Sequence, residues 1–228
     1  MTGRQSLALE ALGLQVRYPG SGTSALALDE LRVNRGQTLC VLGPSGSGKT
    51  TFLDCLAGLV RPDRGSLIVL GQDLSSLGDA ARRRFRLTRL GSVSQRFELV
   101  PYLTALENVL LPARLRPSRS DRARDLEEAR GLLDAMGLTA LSRRKPGQLS
   151  CGEAQRVAVC RALLGSPELC LADEPTSNLD PAAAGLVLEL LLARCEKTGG
   201  TLVLTTHDRG LAAAFDLVID LGEGRRAW

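Results

Sequence analysis

At 228 residues the chain is long enough for one large α/β domain with a sizeable core. Its 29 basic and 25 acidic residues leave a net charge of +4, too mild to argue for nucleic acid, and 3% aromatics give a base-stacking platform little to build on. The six cysteines (40, 55, 151, 160, 170 and 195) form no C-x-x-C pair and His207 is the sole histidine, so the composition argues against a zinc site and for reduced thiols in a cytosolic protein.

Leu7 to Tyr18 and Ala25 to Val33 alternate as strands around the turn Pro19-Gly20-Ser21-Gly22. Gln37 to Leu42 reads as a short buried strand. It runs into Gly43-Pro44-Ser45-Gly46-Ser47-Gly48-Lys49-Thr50, followed by Thr51, which fits G-x-x-x-x-G-K-[ST] in full. Lys49 to Val60 reads as the helix behind this loop, ending before Pro62. Strand, glycine loop and helix N-terminus together make an anion cradle. The glycines let successive N–H groups turn inward, and the unpaired amides of the first helical turn add partial positive charge. Lys49 belongs on the β- and γ-phosphates of a nucleotide and the Thr50 hydroxyl on Mg²⁺.

Asp63-Arg64-Gly65 is a turn before a strand over Ser66 to Leu70, and a polar helix near Gly78 to Arg89 leads to Gly91-Ser92-Val93-Ser94-Gln95. The Arg-rich stretches 82–86 and 114–124 read as solvated helix faces. Thr104-Ala105-Leu106-Glu107 is a capping box opening a short helix that ends near Pro112. Asp121 to Met136 is amphipathic, with Leu126, Ala129, Leu133 and Met136 at helical spacing and Gly137 as its stop. Ser150-Cys151-Gly152-Glu153 is a second capping box, starting a helix to about Gly165. Residues 96–160 therefore read as a helical insertion between two α/β parts, 1–95 and 161–228.

Leu169 to Ala172 is a buried strand ending in Asp173-Glu174, Ala182 to Glu196 a helix, Thr201 to Thr205 a strand leading to His207, and Leu217 to Leu221 a last strand. This alternation predicts a mostly parallel sheet with helices on both faces. Ligands in such sheets bind at the carboxyl ends of strands, where Gly43, Asp173 and His207 all fall. Met1 to Ser6 lack a signal peptide's apolar core, and no apolar run approaches the ~20 residues of a membrane span. Work at a membrane would need another chain to supply the spans.

A phosphate loop alone allows kinases, GTPases and helicases. The choice narrows with Leu149-Ser150-Cys151-Gly152-Glu153-Ala154-Gln155-Arg156 placed before Asp173-Glu174-Pro175-Thr176. With Tyr18, Gln95, Ser177-Asn178-Leu179-Asp180 and His207 in order, the chain resembles the ATP-binding subunits of ABC transporters over essentially its full length. The resemblance implies a phosphate-loop α/β fold with an N-terminal antiparallel part and a helical subdomain carrying the signature, Ser150 to Gly152.

It further implies that Tyr18 stacks on adenine, although its residues alone allow an ordinary strand tyrosine equally. Asp173 would hold Mg²⁺ through water, and Glu174 would be the general base or water-orienting carboxylate. Gln95 would touch Mg²⁺ and the attacking water, and His207 would donate to the γ-phosphate. Ser150 and Gly152 would bind the γ-phosphate of the opposite subunit, so two ATP molecules would lie in a head-to-tail homodimer with Ser177 to Asp180 along the interface.

Cys151 departs from the family's glycine, placing a Cβ and a sulfur where backbone approaches phosphate, and predicts slower turnover than a glycine there would give. Glu153 in place of the frequent Gln is mild, because either residue closes the capping box.

Phe97 to Val109, with Leu171 to Thr176 and Asn178 to Asp180, is similar to the lipoprotein-releasing and macrolide-exporter branch. The resemblance implies a separate permease contacted through Leu99, Pro101 and Tyr102, which on their residues alone could equally pack inside the helical subdomain. The expectation is an ATPase on the cytoplasmic face of the membrane driving that permease. Two alternatives stand beside it: a regulator of a membrane partner that exports nothing, and a nutrient importer, disfavoured because the chain ends soon after Gly224.

Overall fold

The computed structural model describes residues 7–17, 25–116 and 121–222. Its strands are β1 (Leu7–Val16), β2 (Leu26–Asn34), β3 (Thr38–Leu42), β4 (Arg64–Val69), β5 (Gln72–Asp73), β6 (Leu90–Val93), β7 (Leu169–Asp173), β8 (Thr201–Thr206) and β9 (Leu217–Asp220). Its α-helices are α1 (Lys49–Leu56), α2 (Asp79–Arg89), α3 (Ala105–Leu115), α4 (Arg122–Ala135), α5 (Cys151–Leu163) and α6 (Pro181–Thr198).

The strands form two sheets. One is antiparallel in the order β2-β1-β4-β5, and the other is parallel in the order β6-β7-β8-β3-β9. The parallel strands read as apolar runs because both faces are covered, so β7 and β8 are buried throughout. Their register sets the site. Leu42 lies opposite Thr206 and Asp173 opposite Thr205, which brings the carboxyl ends of β3, β7 and β8 level with one another.

Helix α1 fills the space between the sheets. Phe52 and Leu56 are fully buried in a core that takes Leu9 and Leu14 from one sheet and Leu39 and Leu169 from the other. Truncating Phe52 to alanine would remove about 3–5 kcal/mol. A second core lies on the other face of the parallel sheet, where Val157, Cys160 and Leu163 of α5 meet Val109, Leu133 and the strand residues Cys170, Ala172, Leu202 and Leu204. Helices α3 to α5 thus share one core with the sheet, and α5 runs past residue 160 to Leu163.

Two helix ends and the burial of one residue differ from the sequence reading. The helix behind the glycine loop stops at Leu56 rather than Val60, because Gly58 takes a left-handed turn (φ +65°) four residues before Pro62. Helix α3 continues to Leu115 with Pro112 inside it. That proline lacks the N–H that would bond Asn108, but burial of Val109 and Ala113 against the second core holds the helix on both sides of it. Leu126 is only half-buried on α4, and Leu132 takes the place expected for it beside Ala129 and Leu133. Among the described residues no helix is long and apolar enough to cross a membrane.

Candidate functional site

The glycine loop bridges β3 and α1 as its pattern predicts. Gly43 and Gly48 sit at φ +155° and +96°. A Cβ on Gly48 would lie 2.3 Å from the Ala25 carbonyl oxygen, and one on Gly43 would lie 2.3 Å from Ser47 Oγ. Only glycine fits either place. Gly48 also occupies the N-cap of α1, where it offers no side chain to the first-turn amides, so those amides face the loop as an anion site. Ser47 Oγ is buried there with no hydrogen-bond partner among the described residues.

Lys49 is 7% exposed and points back over the loop. Its Nζ donates to the carbonyls of Gly43 (2.6 Å) and Pro44 (3.1 Å) and lies 3.3 Å from Glu174 Oε1. The other Glu174 oxygen is 2.9 Å from His207 Nδ1. Glu174 therefore joins the phosphate-loop lysine to the histidine after β8. Thr50 Oγ1 donates to Asp173 Oδ2 (2.8 Å), and Thr205 Oγ1 donates to Asp173 Oδ1 (2.5 Å). Both carboxylate oxygens of Asp173 are thus oriented by hydroxyls from α1 and β8.

Glu174 has a left-handed backbone (φ +48°), which costs a non-glycine residue roughly 1–2 kcal/mol and persists only where neighbours fix it. Its N–H is held by Thr205 O (3.1 Å) and Thr205 Oγ1 (3.3 Å). Its carbonyl accepts from Ser177 N (3.2 Å), Ser177 Oγ (3.0 Å) and Gln155 Nε2 (3.2 Å). Gln155 comes from the signature helix α5 and is fully buried, so the helix reaches the backbone of the candidate base.

Of these groups Gly48, Lys49, Thr50, Asp173, Glu174, Ser177 and His207 line a cavity of about 490 Å³, together with Gln95, Pro44, Ser45, Gly46, Thr51 and Ala25. Ser150, Gly152 and Asp180 do not line it. Ser150 caps α5, closing the predicted box with Glu153 (3.2 and 2.7 Å). Gly152 packs against Leu179, whose Cδ2 would lie 3.1 Å from an added Cβ. Asp180 caps α6 by accepting from Ala183 N (2.9 Å). Cys151, the first residue of α5, is exposed. Tyr18 lies outside the described residues.

Thr50, Gln95 and Asp173 also line a second cavity of about 280 Å³, shared with Asp54, Leu59, Arg96 and Glu98. Burial, reinforced by Asp173 and Glu98, raises the Asp54 carboxyl above its ordinary range. Leu99, Pro101 and Tyr102 stand outside this cavity. Leu99 packs half-buried against the second core, while Pro101 is exposed and Tyr102 is 74% exposed.

Thr205, Gln155 and Ala25 are the site residues that motif reading passed over. For Thr205 a signal was present: a hydroxyl at the end of an apolar strand, two places before His207. For Ala25 none was, because what it sets against Gly48 is a backbone carbonyl.

The family model described as ABC transporter matches residues 27–177. The chain is 44% identical over 196 residues to a lipoprotein-releasing system ATP-binding protein LolD of Syntrophotalea carbinolica, covering 86% of each chain. It is 42% identical to the protein of that name in Chromohalobacter salexigens, over 95% of this chain and 92% of the relative. A bacterial ABC transporter cassette solved as a dimer superposes with a TM-score of 0.88 at 33% identity, over 96% of this chain and 97% of that one. The same cassette in a dimeric post-hydrolysis state with ADP and Pi gives 0.86 at 32% identity, with the same coverage.

Proposed function

The chain belongs to the ABC transporter family, and we propose that it is an ATP-hydrolysing subunit driving a separate permease of the lipoprotein-releasing type. The observation that carries this reading is the single cavity that gathers the phosphate loop, Asp173, Glu174, Gln95 and His207. The names of the relatives support the lipoprotein-releasing branch.

A triphosphate in the loop would compete for Lys49 Nζ with the carbonyls of Gly43 and Pro44 and with Glu174. Transfer of the ammonium to the β- and γ-oxygens would free the Glu174 carboxylate to orient a water in line with the γ-phosphate and to accept its proton. His207, already 2.9 Å from Glu174, would donate to the γ-phosphate as charge develops there.

Mg²⁺ suits the donor set, since Thr50 Oγ1 and Asp173 Oδ2 are hard oxygens 2.8 Å apart and this ion is ordinarily held by one carboxylate plus substrate phosphates. When bound it would supply charge neutralisation at the nucleotide's phosphates. Gln95 would complete its surroundings and sense the attacking water.

Ser150 and Gly152, which lie off the cavity of their own chain, would cover the γ-phosphate of a second copy, with Ser177 to Asp180 along the interface. The dimer would be head-to-tail with two ATP molecules, and Tyr18 would stack on adenine. Residues 96–160 would act as the helical subdomain of an ATP-binding core formed by 1–95 and 161–228. Leu99, Pro101 and Tyr102 would meet the permease from the cytoplasmic face of the membrane.

The test is to trap Glu174→Gln with ATP in native membranes and identify what co-purifies. Recovery of a permease with about four spans and a large external domain is expected. Recovery of no integral membrane protein would refute the transporter reading.

A further inference from the structure

The segment that follows Gln95 is held in an unusual way. Phe97 and Glu98 are consecutive non-glycine residues at φ +61° and +48°. Two left-handed residues in a row turn their carbonyls to the same side, and such a pair persists only where the surroundings fix it. The fixing group comes from the far end of the signature helix. Arg161, in the last turn of α5, donates Nη2 to Phe97 O (2.6 Å) and Nη1 to Glu98 O (2.7 Å). Its planar fork matches two parallel acceptors, and burial lowers the guanidinium's pKa while the Glu98 charge opposes that shift.

The downstream end of the same segment is fixed from α3. Asn108 is fully buried and donates Nδ2 to the carbonyls of Val100, Leu103 and Thr104, and its Oδ1 accepts from Val100 N (2.8 Å). Pro101 and exposed Tyr102 therefore stand on a stiff loop rather than a pliant one.

We propose that Arg161 is a positioning residue that locks the turn at Phe97–Glu98 to helix α5, so that turn and signature helix move as one body. A partner pressing on Pro101 and Tyr102 would then be felt at Ser150, at the other end of the same helix, without passing through the phosphate cavity. Arg161 does not line that cavity. The inference rests on the reading of 150–152 as the group that closes on a second copy's nucleotide.

The test is amide exchange in the full chain carrying Glu174→Gln, with and without ATP and Mg²⁺, following residues 97–104 and 151–161 separately. In this parent, ATP is expected to slow exchange in both segments, on the order of tenfold. Adding Arg161→Met, which keeps the apolar stem but removes the donors, should leave the response of 151–161 and abolish that of 97–104. Arg161→Lys, which retains one of the two bonds and is the gentler change should the Met variant fail to fold, should give a reduced response of the turn.

With Glu174 intact, Arg161→Lys should hydrolyse ATP within about twofold of the parent rate, since no group at the phosphate is touched. An undiminished response of 97–104 in either Arg161 variant would overturn the proposal. A parent in which 151–161 responds and 97–104 does not would overturn it alone. A parent in which neither segment responds would refute the two-copy nucleotide site, and the coupling with it.

Discussion

Replacing Thr205 with valine isolates one arm of the candidate site. Thr205 is fully buried, and valine matches its shape, so the change removes a hydroxyl and little else. Two bonds are affected. The weaker, from Glu174 N at 3.3 Å, is backed by the bond from the same N–H to Thr205 O at 3.1 Å and survives in that form. The stronger is the 2.5 Å bond to Asp173 Oδ1, and nothing else among the described hydrogen bonds replaces it at that oxygen.

A hydrogen bond to a charged group contributes about 1.5–3 kcal/mol. If the loss falls on the orientation of Asp173 in the transition state, kcat should drop by about 10- to 150-fold. KM for ATP should change little, because Lys49 and the loop amides are untouched. The dependence on Mg²⁺ should shift to higher concentration, since Thr50 would be left as the one side-chain donor to that carboxylate. Steady-state hydrolysis at several Mg²⁺ concentrations reads all three quantities. A variant with unchanged kcat and unchanged Mg²⁺ dependence would refute the assignment of Asp173 to the reacting centre.

Other outcomes follow from the same geometry. Cys151→Gly should hydrolyse ATP several-fold faster than the parent in a steady-state assay, because it removes a Cβ and sulfur from the exposed first turn of α5; equal rates would remove the concern. Gly48→Ala should lower stability by about 2 kcal/mol or more and abolish ATP binding, since its Cβ would meet the Ala25 carbonyl at 2.3 Å in a left-handed conformation; thermal melting and nucleotide titration check it. Glu168 is held down to about 2, first by hydrogen bonds from Arg89 (2.6 and 2.7 Å) and then by one from Arg35 (2.7 Å). A depressed carboxylate stabilises fully above its unfolded value of 4.5, and that stability is lost as pH falls toward 2. The group is 42% exposed, so screening leaves about 1 kcal/mol, and Glu168→Gln should destabilise the chain by that amount in urea at neutral pH and by much less near pH 3.

Local chemistry made much of this structure legible in the sequence. The glycine loop between an apolar strand and a helix, the two capping boxes at Thr104 and Ser150, and the acidic pair after an apolar strand all act over a few residues, so they read directly. The strand-end rule placed Gly43, Asp173 and His207 together correctly, because the register of the parallel sheet levels those ends. What remained hidden depends on distant backbone. The carbonyl of Ala25 closes on Gly48, Gln155 reaches 19 positions to Glu174 O, and Arg161 reaches more than 60 to Phe97 and Glu98. Contacts to main-chain atoms leave no pattern in side-chain identity, and Glu174, Phe97 and Glu98, the left-handed residues whose carbonyls receive the side-chain bonds, are not glycines. The early end of α1 is a different kind of miss. Pro62 is the stronger breaker in the sequence, but Gly58 turns the chain four residues before it.

In the proposed dimer each chain supplies half of each nucleotide site. The molar mass of Glu174→Gln by light scattering, in Mg²⁺ with ATP and then with ADP, reads that division. Twice the monomer mass is expected with ATP, the monomer mass with ADP, and no dimer in either nucleotide once Ser150→Arg is added. A protein that stays monomeric with ATP bound, or that still dimerises on ATP with Ser150→Arg, would contradict it.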